Sequence, residues 1–127
     1  MTIAFTCVLI AIVLPYVWAY YAKRGLMSGR TYDNSAPRLQ LAELTGAEAR
    51  ANWAQQNTFE ALPGFIGAVI IAHLGDAAQI TVDTLAVIFI IARLGHGVCY
   101  IRDLATLRSS CWAVGFFAVI GLFIAAF

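Results

Sequence analysis

Apolar residues dominate four long segments of the chain, and the polar residues are gathered between them. The apolar segments cover about residues 2–22, 46–74, 80–101 and 110–127. A helix needs roughly 20 apolar residues to cross a hydrocarbon core about 30 Å thick, so each segment is long enough for about one crossing. The pattern predicts an all-α integral membrane protein, a bundle of four transmembrane helices.

Residue types at the end of the first segment indicate a membrane interface. Trp18, Tyr20 and Tyr21 stand just before Lys23 and Arg24. Aromatic rings at headgroup level, followed by cations that snorkel toward water, are typical of the point where a helix leaves the bilayer. The first helix is therefore expected to end near residue 22.

Two polar signals bound the second segment. Thr45 and Glu48 have the spacing of a capping box, in which each side chain accepts the backbone N–H of the other residue. This spacing predicts a helix from Gly46 to about Leu74, with Gly75 as its C-cap. Such a helix is longer than one crossing requires, so its polar first half is expected to project from the membrane or to line a polar site.

The composition leaves little for a soluble domain. Of 127 residues, 61% are hydrophobic and 12% charged, and the mean hydropathy is +0.80, so one membrane domain over residues 1–127 is expected. A net charge of +1 argues against nucleic acid as a partner. Cys7, Cys99 and Cys111 have no metal-site spacing and are interpreted as buried free thiols; His73 also lacks nearby ligands, so no metal is expected.

The cations predict how the chain crosses the membrane. All eight lie at or near the first and third connections, whereas the second connection, near residues 75–79, has none. By the positive-inside rule, both polar loops are expected in the cytoplasm and both termini outside.

Polar residues form a stripe along the predicted second helix. Arg50, Trp53, Asn57, Glu60 and Gly64 follow the spacing i, i+3, i+7, i+10 and i+14, which places them on one face. Ionisable residues at membrane depth are costly, and they indicate a functional site by default.

The predicted third helix carries a second stripe. Arg93, His96 and Tyr100 follow i, i+3 and i+7, with Asp103 and then Arg108 in the next connection. An amide, a carboxylate, a phenol and several guanidinium groups together could hold an anionic ligand that contains amides.

Plainer interpretations stay open for these residues. Asn57 and Glu60 are equally well explained by an interhelical hydrogen-bond network that fixes the bundle, and Glu60 could simply pair with Arg93. Three further cations are interpreted as topology determinants near anionic headgroups: Arg30, Arg38 and Arg102.

The segment Arg50–Pro63, with its Asn57 and Glu60, resembles the signature of the MAPEG family, the membrane-associated proteins in eicosanoid and glutathione metabolism. Arg93–Tyr100 followed by Leu107–Ser109 resembles the second signature of that family. The similarity extends over the whole chain, and short bacterial members are the most similar.

The resemblance implies a homotrimer in a bacterial inner membrane, with membrane lipids and lipophilic small molecules as partners. It also implies glutathione as co-substrate, bound from the cytoplasmic side between subunits, and it makes Arg108 the candidate catalytic residue that stabilises the glutathione thiolate. The stripes and the resemblance together give the candidate ligand contacts: Arg50, Asn57, Glu60, Arg93, His96 and Tyr100.

Two functions are weighed on this basis. The first is a glutathione-dependent membrane transferase or peroxidase that acts on lipophilic electrophiles. The alternative is a non-catalytic membrane assembly or lipid-binding protein, and it is favoured by Trp53 and His96, which stand where catalytic mammalian members commonly have an Arg and a Tyr.

Overall fold

The computed structural model describes residues 2–29 and 32–127, so the predicted topology determinant Arg30 lies outside the described residues. The described chain is helical almost throughout. Its helices are α1 (Ile3–Gly29), α2 (Pro37–Ala42), α3 (Gly46–Leu74), α4 (Gln79–Ile101) and α5 (Ala105–Ala125). All but α2 are long and apolar enough to cross a membrane, as the hydrophobic pattern predicts.

The four long helices alternate in direction. Phe5, near the start of α1, stacks on His73, near the end of α3, with ring centroids 4.4 Å apart. At the same end Asp83 accepts the backbone N–H of Ala4 at 2.8 Å, and Gly75 lies against Ala126. We call this the turn end, because the short connection 75–78 lies here. The opposite end, which carries α2 and the connection 102–104, is the loop end.

Two helices extend further than their apolar segments. α1 continues past Lys23 and Arg24 to Gly29, about two turns beyond the predicted end, and α5 starts at Ala105 instead of residue 110. Hydropathy finds only the part of a helix that is immersed in lipid, whereas backbone hydrogen bonding continues into the polar interface. The predicted third connection therefore shrinks to residues 102–104.

The predicted capping box does not form. Thr45 is the N-cap of α3, but its side chain makes no capping hydrogen bond. The carboxylate of Glu48 lies against the backbone of Gly25 in α1. Glu48 thus contacts another helix.

The polar loop at residues 32–36 has local order of its own. Asp33 accepts the backbone N–H of Ser35 at 2.8 Å. Hydrogen bonds from the side chain and the backbone of Ser35 hold the pKa of Asp33 below its ordinary value.

Alanine and aromatic residues share the core. Phe65 of α3 stacks on Phe89 of α4 with centroids 3.9 Å apart, and both are buried. The small residues allow close helix approach, which is how membrane helices gain packing energy. The buried alanines of this core are Ala4, Ala11, Ala68, Ala72, Ala86 and Ala118.

Candidate functional site

Three polar side chains of α3 and α4 form a hydrogen-bonded relay. Arg93 is only 2% exposed, and its Nη2 donates to Asn57 Oδ1 at 2.7 Å. The amide of Asn57 in turn donates to Glu60 Oε2 at 3.3 Å. Asn57 therefore stands between the guanidinium and the carboxylate, and it links them where the sequence suggested a direct pair.

This relay lies in a groove on the side of the bundle, which we call the lateral groove. Its volume is about 340 Å³, and α3, α4 and α5 all contribute to it. Trp112 and Phe116 of α5, stacked with centroids 5.2 Å apart, form the aromatic wall of this groove. The lining residues are Asn57, Glu60, Ala61, Gly64, Phe89, Arg93, Trp112, Gly115, Phe116 and Val119.

Between the groove and the loop end, three further predicted site residues contact one another. The guanidinium of Arg108 lies 4.4 Å from the centroid of the Tyr100 ring. His96 meets the same ring edge-on, with centroids 5.0 Å apart. A guanidinium above an aromatic face is a cation–π contact, so Tyr100 holds Arg108 in place near the loop end.

Helical spacing explains why these residues line one surface. On α4, Tyr100, His96 and Arg93 lie at successive turns, and on α5 Arg108 and Trp112 do the same. Because α4 and α5 are antiparallel, the two rows run side by side in opposite directions. The rows place Tyr100 opposite Arg108 at the loop end, and Arg93 beside Trp112 deeper in the bundle.

Two buried nitrogen atoms in this region have no hydrogen-bond partner among the described residues. They are Nε of Arg93 and Nδ1 of His96. Buried polar atoms are normally satisfied by protein, water or ligand. The relay therefore has capacity for a further polar partner.

Arg50 lies near this region but is engaged differently. Its Nε and Nη2 donate to the carbonyl oxygen of Ile101 at 3.2 and 3.1 Å. The last carbonyl groups of a helix lack partners within the helix, so Arg50 caps the end of α4. A contact between Arg50 and a ligand stays a prediction.

The predicted stripe of α3 is divided between two surfaces. Asn57, Glu60 and Gly64 line the lateral groove, whereas Trp53, 51% exposed, lines a second cavity of about 670 Å³. That cavity lies between α2 and α3, with Lys23 of α1 at its edge. Residues that follow the spacing i, i+3, i+7 over four turns of α3 therefore do not all lie on one face of the helix.

Sequence reasoning missed several polar residues of the second cavity. These are Lys23, Arg38, Asn52, Gln55 and Gln56. The adjacent amides of Gln55 and Gln56 were the available signal, because two glutamines are unusual in a segment that enters a membrane. The aromatic wall of Trp112 and Phe116 was missed because the fourth segment is apolar on every face.

The fold and the groove together define an integral membrane protein whose buried arginine relay opens sideways between three helices. Residues 3–127 match the MAPEG family model, and the chain belongs to the MAPEG family. Membership places it among the membrane proteins of eicosanoid and glutathione metabolism. A comparison with curated proteins found no match.

Proposed function

We propose that the protein is a glutathione-dependent membrane transferase or peroxidase that acts on lipophilic electrophiles. The observation that carries the proposal is the buried Arg93 relay in a groove that is lined by aromatic residues of α5, with Arg108 one turn from Trp112 on the same helix, toward the loop end. Such a groove offers charge for an anionic thiol and apolar surface for a lipid-soluble reactant.

The polar groups suit the chemistry of glutathione, which carries two carboxylates, one ammonium group and two amides. Guanidinium groups bind carboxylates through charge-assisted hydrogen bonds. Arg93 lines the groove, and its buried Nε, which has no partner among the described residues, would become a donor for one carboxylate once the groove side chains rearrange on binding. Glu60, at the exposed end of the relay, suits the ammonium group. Asn57 can bond to an amide only by rearranging the relay.

Arg108 is the residue that we assign to thiol activation. A cation near a thiol favours the thiolate, which is the nucleophilic form. In the transferase reaction the thiol gives up its proton, and the thiolate sulfur forms a bond to the electrophilic carbon. In the peroxidase reaction two glutathione molecules and a hydroperoxide give glutathione disulfide, an alcohol and water.

A homotrimer would complete the site. Glu60 is exposed on α3 of the single chain, and an exposed carboxylate at membrane depth is costly against lipid. A neighbouring subunit packed on this face would cover Glu60 and would place the relay at a subunit boundary.

The proposed orientation puts the loop end in the cytoplasm. Described cations at this end include Lys23, Arg38, Arg102 and Arg108, whereas the connection 75–78 at the turn end carries none. The positive-inside rule then favours both termini on the outer side, and glutathione would enter from the cytoplasm.

The test is an ultraviolet difference spectrum of the purified protein titrated with glutathione, because a thiolate absorbs where a thiol does not. The wild type is expected to give a saturable signal, and Arg108→Ala is expected to lose it. Arg102→Ala is the matched control, since Arg102 is an exposed cation at the same end and should leave the signal intact.

A second measurement separates binding from reaction. The wild type should conjugate glutathione to a general aryl halide or reduce an organic hydroperoxide. An intact trimer that neither gives a thiolate signal nor turns over either substrate would contradict the proposal, and it would favour the non-catalytic assembly or lipid-binding protein.

A further inference from the structure

Cys99 of α4 and Cys111 of α5 are neighbours across the α4–α5 contact. Both are free thiols, and they lie close enough for the two side chains to interact. Gly95, one turn before Cys99, leaves the space that Cys111 fills: a Cβ atom at Gly95 would lie 3.1 Å from the Cys111 sulfur. Cys111 therefore points into the surface of α4.

The directions of the two side chains bring their sulfur atoms toward each other. The Cα–Cβ bond of a helical residue tilts toward the N-terminus of its helix. In α4 this tilt carries Cys99 away from the loop end, toward the level of Gly95. In the antiparallel α5 it carries Cys111 toward the loop end, toward the level of Cys99.

The helices are also close enough for a covalent link. Gly115, one turn beyond Cys111 in α5, would place a Cβ atom 3.6 Å from the Cβ of Ala92 in α4. A disulfide needs Cβ atoms about 3.5–4.5 Å apart, and one turn from Cys111 the backbones of α4 and α5 approach closely enough for Cβ atoms to reach that separation.

The two thiols differ in accessibility. Cys99 is 4% exposed, whereas Cys111 is half-buried and follows Arg108 by one turn. Susceptibility of a thiol to oxidation rises with its exposure. Cys111 is thus suited to react first and Cys99 to resolve the product, while Cys7 lies in the alanine-rich core.

We propose that Cys99 and Cys111 form a redox-active pair that closes to an interhelical disulfide when a hydroperoxide reaches it from the bilayer. The Cys111 thiolate attacks the terminal peroxide oxygen, so that an S–O bond forms, the O–O bond breaks and an alcohol leaves. Cys99 then attacks the sulfenic sulfur, forming the S–S bond and releasing water. The pair thereby loses two protons and two electrons, which the peroxide takes up.

A disulfide between Cys99 and Cys111 would also affect the candidate site. Cys99 directly precedes Tyr100, and Cys111 directly precedes Trp112. A disulfide would fix α4 against α5 where Tyr100 holds Arg108 and where Trp112 lines the lateral groove.

The test uses the full-length wild-type protein in detergent, treated with cumene hydroperoxide, alkylated, and digested with trypsin after denaturation. Cleavage after Arg93, Arg102 and Arg108 separates the two cysteines onto peptides 94–102 and 109–127. Mass spectrometry is expected to find these two peptides joined, two hydrogen atoms lighter than their sum, and released by dithiothreitol.

The three cysteines supply matched controls. Cys7→Ser should still give the linked peptides, and Cys99→Ser should leave Cys111 to be oxidised beyond the sulfenic state. The proposal is overturned if peroxide leaves Cys111 alkylatable, if wild-type Cys111 becomes sulfinic or sulfonic acid without a link, or if the link includes Cys7. Because the oxidant is added directly, the result is independent of whether the protein uses glutathione.

Discussion

Asn57→Ala tests whether the buried relay stabilises the bundle. Asn57 accepts the hydrogen bond from Nη2 of Arg93 at 2.7 Å, and Nε of the same guanidinium already has no partner among the described residues. With Arg93 2% exposed, water cannot readily replace the lost amide. The variant is therefore expected to be less stable than the wild type.

The expected loss of unfolding free energy in Asn57→Ala follows from two ranges of hydrogen-bond strength. A hydrogen bond to a charged group contributes about 1.5–3 kcal/mol in soluble proteins, whereas hydrogen bonds between membrane helices average about 0.6 and reach about 1.7 kcal/mol. The Arg93 contact is short and charged, which favours the upper part of the membrane range. The longer bond to Glu60 adds little, so we expect a loss of about 1.5 kcal/mol.

The assay is reversible unfolding in mixed detergent micelles, followed by circular dichroism, with a double-mutant cycle. Arg93→Met removes the guanidinium but keeps a long side chain, and its own cost is measured first, because it leaves Asn57 and Glu60 without their cation. In that background Asn57→Ala should cost less than about 0.5 kcal/mol, since no guanidinium is left without an acceptor. Gln56→Ala is the matched control, an exposed amide one residue earlier on α3.

Equal losses for Asn57→Ala in the wild-type and Arg93→Met backgrounds would refute this reasoning. They would mean that Asn57 acts through packing and that its contact with Arg93 contributes nothing measurable. A loss of stability in Gln56→Ala as large as in Asn57→Ala would likewise show that the relay stabilises the bundle no more than an exposed amide does.

Three further substitutions test the helix contacts. Gly97→Ala should cost about 1–3 kcal/mol, because its Cβ would overlap the ring of Trp18, whereas Gly67→Ala, with open space around it, should cost nothing in the same unfolding assay. Arg50→Met should cost about 1–2 kcal/mol by removing two bonds to the last carbonyl of α4, and hydrogen exchange should rise at that helix end; unchanged exchange would contradict it. Asp83→Ala should speed amide exchange at the start of α1, which it caps, while Asp83→Asn keeps an oxygen acceptor and should not; equal exchange in both variants would show that the cap is unimportant.

The hydrophobic pattern predicted the membrane fold because lipid imposes a length on apolar segments. The bounds of α3 coincide with the predicted ones, since Gly46 and Gly75 mark both ends. The extensions of α1 and α5 were missed because the residues beyond the apolar segments are polar but still helical. The Thr45–Glu48 signature failed for a tertiary reason, since Glu48 lies against Gly25 of another helix.

The polar half of the lateral groove could be predicted in part. The sequence shows three polar residues within its apolar segments, Asn57, Glu60 and Arg93, and polar groups at membrane depth must find partners. Their order in the relay could not be predicted, since the sequence does not show whether Arg93 of α4 reaches Asn57 or Glu60 of α3. The structure gives that place to Asn57, between the two charged groups.

The apolar half of the groove depends on a register that no local pattern encodes. α5 is apolar on nearly every face, so its sequence does not tell which side meets α4. The short connection 102–104 decides this: it reverses the chain so tightly that Arg108 returns over Tyr100. Once that contact is fixed, helical periodicity carries Trp112 and then Gly115 into the groove beside Arg93, and the aromatic wall follows from the length of the turn.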